Sequence, residues 1–252
     1  IGARAAVALG RRGARLVLAA RREDRLREIA NRIRDRGGPG ALVVPTDVTK
    51  VGDLRALAER VRTEAGRCDV LVNNAGIPGG GAFADLSLAH LERVTATNYL
   101  SVLRLTKLLL PMLADAGGHV VNVASLAGRF AVPGAAAYTA SKHAVVALSE
   151  ALYHELAPRG VMVTSVNPGF VHTEGFPHRE LQQDPRLRRF VMGPSPTVRA
   201  IVEVIEGRRG PEVSVPRWIG PLQAFRILTP PLYRAAVRRL SGRRTAPPDP
   251  SA

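Results

Sequence analysis

Residues 15–46 read RLVLAARREDRLREIANRIRDRGGPGALVVPT, and three patterns follow one another in that stretch. Arg15–Ala20 is a short apolar run, the mark of a buried strand. Glu23–Arg36 has the helical period. Gly37-Gly38-Pro39-Gly40 ends it. Ala41–Thr46 is a second apolar, β-branched run. Strand, helix, strand in this order is the unit of a parallel sheet. The same alternation fills the rest of the chain. Further strands are expected at Val70–Asn73, His119–Ala124, Met162–Asn167 and Glu212–Val215. Further helices are expected at Ala3–Arg12, Val51–Ala65, Leu88–Ala114, Tyr138–Ala157 and Thr197–Glu206. The expected fold class is α/β, a doubly wound parallel sheet in three α/β/α layers, without internal repeats or a domain boundary.

The bulk properties fit one domain. The chain has 252 residues, 46% of them hydrophobic, enough for a sizeable core. No apolar run reaches the roughly 18 residues of a membrane helix. The longest, Leu100–Leu113, is broken by Arg104, Lys107 and Pro111. No signal peptide is read at the start. A single cysteine, Cys68, allows no internal disulfide and suits a reducing cytoplasm, the expected location. The formal net charge is +15, and three of the 36 basic residues are Lys (Lys50, Lys107, Lys142), the others Arg. Such a surface attracts anions. The Arg residues are scattered over predicted helices with no aromatic platform between them, so no nucleic-acid partner is expected. The six His residues show no clustered spacing, so no metal is expected.

Tyr138-Thr139-Ala140-Ser141-Lys142 carries candidate chemistry. On a helix, residues four apart share one face. Lys142 then stands beside the Tyr138 hydroxyl and lowers its pKa by favouring the phenolate. An ordinary Tyr, with a pKa about 10, is a poor base at neutral pH. One with a cation beside it exchanges a proton there, which suits a carbonyl/alcohol pair. Tyr-x-x-x-Lys also occurs by chance on surface helices, and its company gives it weight. Ser125 ends an apolar strand upstream. Asn73-Asn74-Ala75-Gly76 follows another strand, where small and amide residues let backbone approach a ligand. Asn167-Pro168-Gly169 closes a third. Each alone reads equally as an ordinary turn. Asp47, at a strand end, either caps the next helix or binds adenine.

As an ordered set, Asn73-Asn74-Ala75-Gly76, Asn98, Ser125, Tyr138-x-x-x-Lys142 and Pro168-Gly169 resemble the short-chain dehydrogenase/reductase family, over Ile1 to about Val215. The resemblance implies a single NAD(P)-binding Rossmann domain over 1–241 and an NAD(P)-dependent oxidoreductase. It implies that Tyr138 gives a proton to a carbonyl, or takes one from an alcohol. Lys142 would lower its pKa and bind the nicotinamide ribose. Ser125 would hydrogen-bond the substrate oxygen, and Asn98 would hold a water in a proton relay reaching Lys142. Asn73, Asn74, Ala75 and Gly76 would line the adenine-ribose side and steady the central strands. Asp47 and Val48 would contact adenine. Pro168, Gly169, Val171 and Thr173 would border the nicotinamide. The family places a strand and a Gly-rich turn before its first helix. This chain opens Ile1-Gly2 directly at a helix. Gly2 therefore matches the last glycine of that turn. The first strand is expected to be missing mid-sheet, between the strands starting near Arg15 and Val70, and such a piece alone is expected to bind cofactor or fold poorly.

In Leu16–Ala20, Ala20 sits where an NAD-preferring site carries an acid, and Arg21 and Arg22 follow, so NADP(H) is expected over NAD(H). The segment of about 169–196 lacks a regular pattern and reads as a substrate lid. Phe130, Val132, Phe170, Phe176 and Phe190 near the expected mouth suggest a small apolar carbonyl or alcohol substrate. From Gly207 onward nine Arg stand against Glu212 and Asp249, interleaved with Trp218, Phe225, Leu228 and Tyr233. This segment reads as a pocket cover, an interface of a homodimer or homotetramer, or an amphipathic element on an anionic membrane; cover or interface fits the family better. Residues 242–252 read as a disordered tail. The alternative to an enzyme is a cofactor-binding scaffold or regulator of the same fold. It need not keep Ser125, Tyr138 and Lys142 together.

Overall fold

The apolar runs form β1 (Leu16–Ala20), β2 (Ala41–Pro45), β3 (Val70–Asn73), β4 (His119–Val123) and β5 (Met162–Pro168). After the short β6 (Phe170–Val171) and β7 (Val191–Met192) comes β8 (Glu212–Val215). The structure, a computed structural model, describes residues 1–174, 190–207, 210–220 and 222–241. Residues 175–189 of the expected lid, Phe176 among them, and the expected tail 242–252 lie outside the described residues. Every described ladder is parallel. The strand order is β3-β4-β5-β8 in one sheet and β1-β2 in another, with β6-β7 as a small third. The division between β1 and β3 falls where the family resemblance places the break.

The two larger sheets behave as one layer because they share their covering helices. Along β1 and β2, side chains alternate with a period of two. Val17, Leu42 and Val44 pack with Leu54 and Leu57 of α3 (Val51–Arg60) and with Leu105, Leu109 and Leu113 of α5 (Ser101–Asp115). Leu16, Leu18, Ala41 and Val43 pack on the other face, with Ala6 and Val7 of α1 (Gly2–Gly10) and Leu26, Ala30 and Ile33 of α2 (Glu23–Arg34). Val120 and Val163 of the larger sheet join the α3/α5 cluster. Val121, Val123, Val166 and Val215 meet Ala5 together with Ala200, Ile201 and Val204 of α7 (Ser195–Gly207). Helix α1 thus bridges both sheets. Both faces are covered, as a parallel sheet requires. Deep between β3 and β4, Asn73 Nδ2 donates to Asn122 Oδ1 at 2.8 Å and to Thr106 Oγ1 at 3.2 Å, which pins the register of the central strands.

The expected helix Leu88–Ala114 is not continuous. Helix α4 (Leu88–Thr95) passes through a wider π-type turn, Ala96–Leu100, into α5. Such turns insert one extra residue and concentrate at functional sites. Asn98 sits in this one and is fully buried. A second π-type turn, Val61–Ala65, follows α3 and ends at Gly66, whose φ of 72° is the left-handed helix stop. Helix α6 (Ala136–Leu156) packs on β5, and the segments after β3, β4 and β5 open on one side of the sheet. That is where ligands bind in doubly wound folds.

Candidate active site

Ser125 leaves β4 in extended backbone and opens a short helical turn, Leu126–Gly128. Its Oγ accepts the Ala127 N–H at 3.1 Å and lies 3.4 Å from the Pro168 carbonyl oxygen, to which it donates. The turn reaches α6 only because Gly128 has no side chain. A Cβ there would lie 2.6 Å from the Lys142 carbonyl oxygen and 2.8 Å from Val146 Cγ2. This contact brings Ser125 beside Tyr138, where its hydroxyl favours the phenolate.

Tyr138 lies in the first turn of α6, half-buried, and Lys142 follows one turn on, 4% exposed. Lys142 Nζ donates to the Val123 carbonyl at 2.9 Å and stands 5.9 Å from the centroid of the Tyr138 ring. Burial lowers the Lys142 pKa from 10.5 to about 8. The expected lowering of the Tyr138 pKa by Lys142 is not what this geometry gives. Burial raises the phenol above its ordinary value, and the Ser125 hydroxyl partly offsets it. The ammonium is turned to the Val123 carbonyl and the ring, not to the hydroxyl, so its effect on the phenol is weak here.

Asn98 is held at both ends of its amide. Its Oδ1 accepts the Ile77 N–H at 2.8 Å; its Nδ2 donates to the Ile77 carbonyl at 3.1 Å and to Ser141 Oγ at 3.2 Å. The side chain clamps the strand-exit loop after β3 to α6. Gly76 sits inside this clamp. A Cβ there would lie 3.5 Å from Asn98 Oδ1 and 3.6 Å from Lys142 Nζ.

The remaining predicted residues line the same sheet edge. Gly2 presses on Asn74, where a Cβ would meet Nδ2 at 2.6 Å. Asp47 accepts from the Thr49 N–H at 3.0 Å and Thr49 Oγ1 at 2.8 Å, and these bonds hold its carboxyl below the usual range, with nearby Arg21 adding to the effect. It closes the turn ahead of α3 and does not cap that helix, whose N-cap is Lys50. Val48 packs on the α3/α5 core cluster. Arg21 and Arg22 are exposed at the end of β1, and Arg22 Nη1 pairs with Glu174 at 2.9 Å. Pro168 and Val171 are buried, with Gly169 and Thr173 half-exposed around them.

These residues fit a nicotinamide dinucleotide cofactor. The first turn of α1 has unpaired backbone N–H groups and no acidic residue, which suits a phosphate. Lys142 has three donors and one described hydrogen bond, so a buried ribose hydroxyl would satisfy it. Among the described residues no group of His, Cys, Asp and Glu could hold a metal, and no helix is long and apolar enough to cross a membrane.

Three contributors were not found from sequence. Gly128 and Ser141 sit in plain view, in Ser125-Leu-Ala-Gly128 and beside Lys142, but their contacts are long-range. The third is Tyr233, in α9 (Pro230–Ser241). Its Oη accepts the Ala131 N–H at 3.1 Å, and its ring lies 6.5 Å from those of Phe130 and Phe225. The C-terminal segment therefore holds the loop between Ser125 and Tyr138. Phe170 and Phe190, expected at the mouth, are exposed, and Phe130 and Val132 half-buried.

Known proteins resemble this chain in sequence and fold. The family model described as short chain dehydrogenase matches residues 1–184. The ketoacyl reductase HetN of Nostoc sp. is 34% identical over 209 residues, 82% of this chain and 72% of that protein. A single-substitution variant of actinorhodin polyketide ketoreductase, solved with NADPH, superposes with a TM-score of 0.75 at 33% identity, over 85% of this chain and 90% of that one. An alcohol dehydrogenase from the archaeon Thermococcus sibiricus, complexed with 5-hydroxy-NADP, gives 0.74 at 26% identity, over 83% and 88%.

Proposed function

Because the chain belongs to the short-chain dehydrogenase family and is an NAD(P)-dependent oxidoreductase of that family, we propose that it is an NADP(H)-dependent reductase of apolar ketones or aldehydes with Tyr138 as proton donor. The observation that carries this reading is the close seating of the Ser125 turn on α6, which sets Ser125 by Tyr138 and the buried Lys142. Bound nicotinamide supplies or accepts the hydride. The chain's own residues position the carbonyl and manage one proton. Two hydroxyls that meet can both donate to one carbonyl oxygen. Ser125 holds it, and Tyr138 releases its proton as negative charge builds there. A phenol whose pKa is raised by burial keeps that proton until the oxygen takes it. Ser125 steadies the phenolate that remains, and Lys142 would hold the cofactor ribose beside it with the donors it does not spend on Val123. Asn98 acts as a positioning residue through Ile77 and Ser141. We place the domain over 1–241 and read the protein as a cytoplasmic homo-oligomer. Burial that pushes the Cys68 thiol up to about 11 suits a cysteine with no redox part.

The greasy mouth and the ketoacyl and polyketide reductases among the relatives support a carbonyl on an acyl chain. A panel of oxoacyl thioesters, ketones and aldehydes, followed by NADPH oxidation, tests this. Turnover with oxoacyl thioesters foremost is expected. Tight NADPH binding with no carbonyl consumed would favour the scaffold instead. For the cofactor, Arg21 is the residue that meets a 2′-phosphate. Arg21→Asp in the complete protein is expected to raise the NADPH Kd by about tenfold or more and to leave that of NADH within about twofold. Equal weakening of both would remove Arg21 from cofactor selection.

A further inference from the structure

The C-terminal helices turn one side to the protein and leave the other bare. In α8 (Leu222–Leu228), Arg226 reaches inward and donates to the Arg129 carbonyl and, at 2.8 Å, to His143 Nε2. In α9, Tyr233 is tied to Ala131. The Thr229 N–H donates to Phe225 O at 3.1 Å and the Tyr233 N–H to Thr229 O at 3.0 Å, so the i to i+4 pattern runs through the junction. Leu228 and Leu232 therefore lie one turn apart on the outer side. Leu228 is 78% exposed, Ile227 73% and Leu232 62%. Trp218, in the short turn Arg217–Ile219 that packs on α8, is 58% exposed. Four large apolar side chains in a stretch this short call for a partner.

The charge around them says what kind. From Arg217 to Ser241 the chain holds five Arg and no Asp, Glu or Lys. Arg217 pairs with Glu203 and Arg226 is seated inward. Arg234, Arg238 and Arg239 are exposed and form no ion pair among the described residues. A second copy laid on this face would set Arg against Arg, in a chain whose net charge is already +15. A water-facing role would not need the apolar set. Apolar side chains flanked by arginines are the composition of a helix that lies in the headgroup region of an anionic bilayer. We infer that the outer face of α8 and α9, with Trp218, docks on an anionic lipid surface. The assignment does not depend on which carbonyl the enzyme reduces, or on whether it turns one over.

The single Trp of the chain reports this face directly. The complete protein is mixed with vesicles of phosphatidylcholine alone or with phosphatidylglycerol added, then sedimented, and Trp218 emission is recorded. Binding and a blue shift are expected with the anionic vesicles only. Ile227→Glu with Leu228→Glu, and separately Arg238→Glu with Arg239→Glu, are each expected to weaken partitioning about tenfold or more. Arg32→Glu on the exposed side of α2, with Arg36→Glu in the turn after it, removes the same charge elsewhere and is expected to keep the blue shift. Unchanged folding of the variants is checked by circular dichroism. The inference is overturned if anionic vesicles do not bind, if Trp218 does not shift, or if both charge-reversed pairs weaken binding equally. It is also overturned if Ile227→Glu with Leu228→Glu dissolves a dimer while vesicles have no effect.

Discussion

Tyr138→Phe lowers kcat for carbonyl reduction by about a hundred- to ten-thousand-fold, the usual worth of a positioned general acid. The substitution removes one oxygen. The residue keeps its close approach to Gly79, where an added Cβ would lie 3.2 Å from Tyr138 Cβ. Lys142 keeps its bond to Val123, so cofactor affinity changes little. Ser125 still donates to a carbonyl oxygen, so KM changes less than kcat, the pattern of an interaction needed in the transition state. Steady-state kinetics and NADPH titration on wild type and variant separate these quantities. A loss below about tenfold would remove Tyr138 as the acid.

Lys142→Met is expected to lower kcat by about a hundredfold and to alter the pH dependence of stability in a defined sense. In the folded protein the Lys142 pKa is lowered by burial to about 8, against 10.5 for an unhindered lysine. Below pH 8 both folded and unfolded chains carry the proton, and the folded one bears the cost of a buried ammonium. Between pH 8 and 10.5 the folded chain gives the proton up while the unfolded chain keeps it. The unfolded state then binds more protons, so stability rises with pH. The gap amounts to about 3 kcal/mol if fully developed. Tyr138, with its pKa raised, opposes this above pH 10, where the folded chain holds the phenol proton longer. Urea unfolding at pH 7 and pH 9.5 should therefore show wild type gaining on Lys142→Met. No difference in slope would mean that Lys142 titrates as an exposed lysine.

Six of the eight described strands were legible because each is an apolar run closed by turn residues; β6 and β7 lie in the segment read as irregular. Val70–Asn73 and Glu212–Val215 were placed to the residue. The helices were legible by period. The Ser125, Tyr138 and Lys142 set was legible as an ordered spacing. What was not legible depends on contacts across the chain. The π-type turn at Ala96–Leu100 leaves the apolar content of its helix unchanged, so no periodicity announces it. The two amide atoms of Asn98 find Ile77 and Ser141, which are 21 and 43 residues away. The direction of the Tyr138 shift depends on burial and on where the Lys142 ammonium points, and a sequence encodes neither. The seating of Tyr233 and Arg226 on residues 102 and 83 positions distant splits one amphipathic tail into a gripping side and a bare side.

The central assignment is hydride transfer from nicotinamide to a carbonyl at the Ser125–Tyr138–Lys142 site. NADPH deuterated at the hydride-donating ring carbon is incubated in ordinary water with the complete protein and its best carbonyl substrate, and the alcohol is analysed by mass spectrometry. Deuterium on the carbinol carbon, formed by wild type and lost in Tyr138→Phe, is the expected result. An alcohol whose carbinol carbon carries only solvent hydrogen, or equal yields from wild type and Tyr138→Phe, would contradict it.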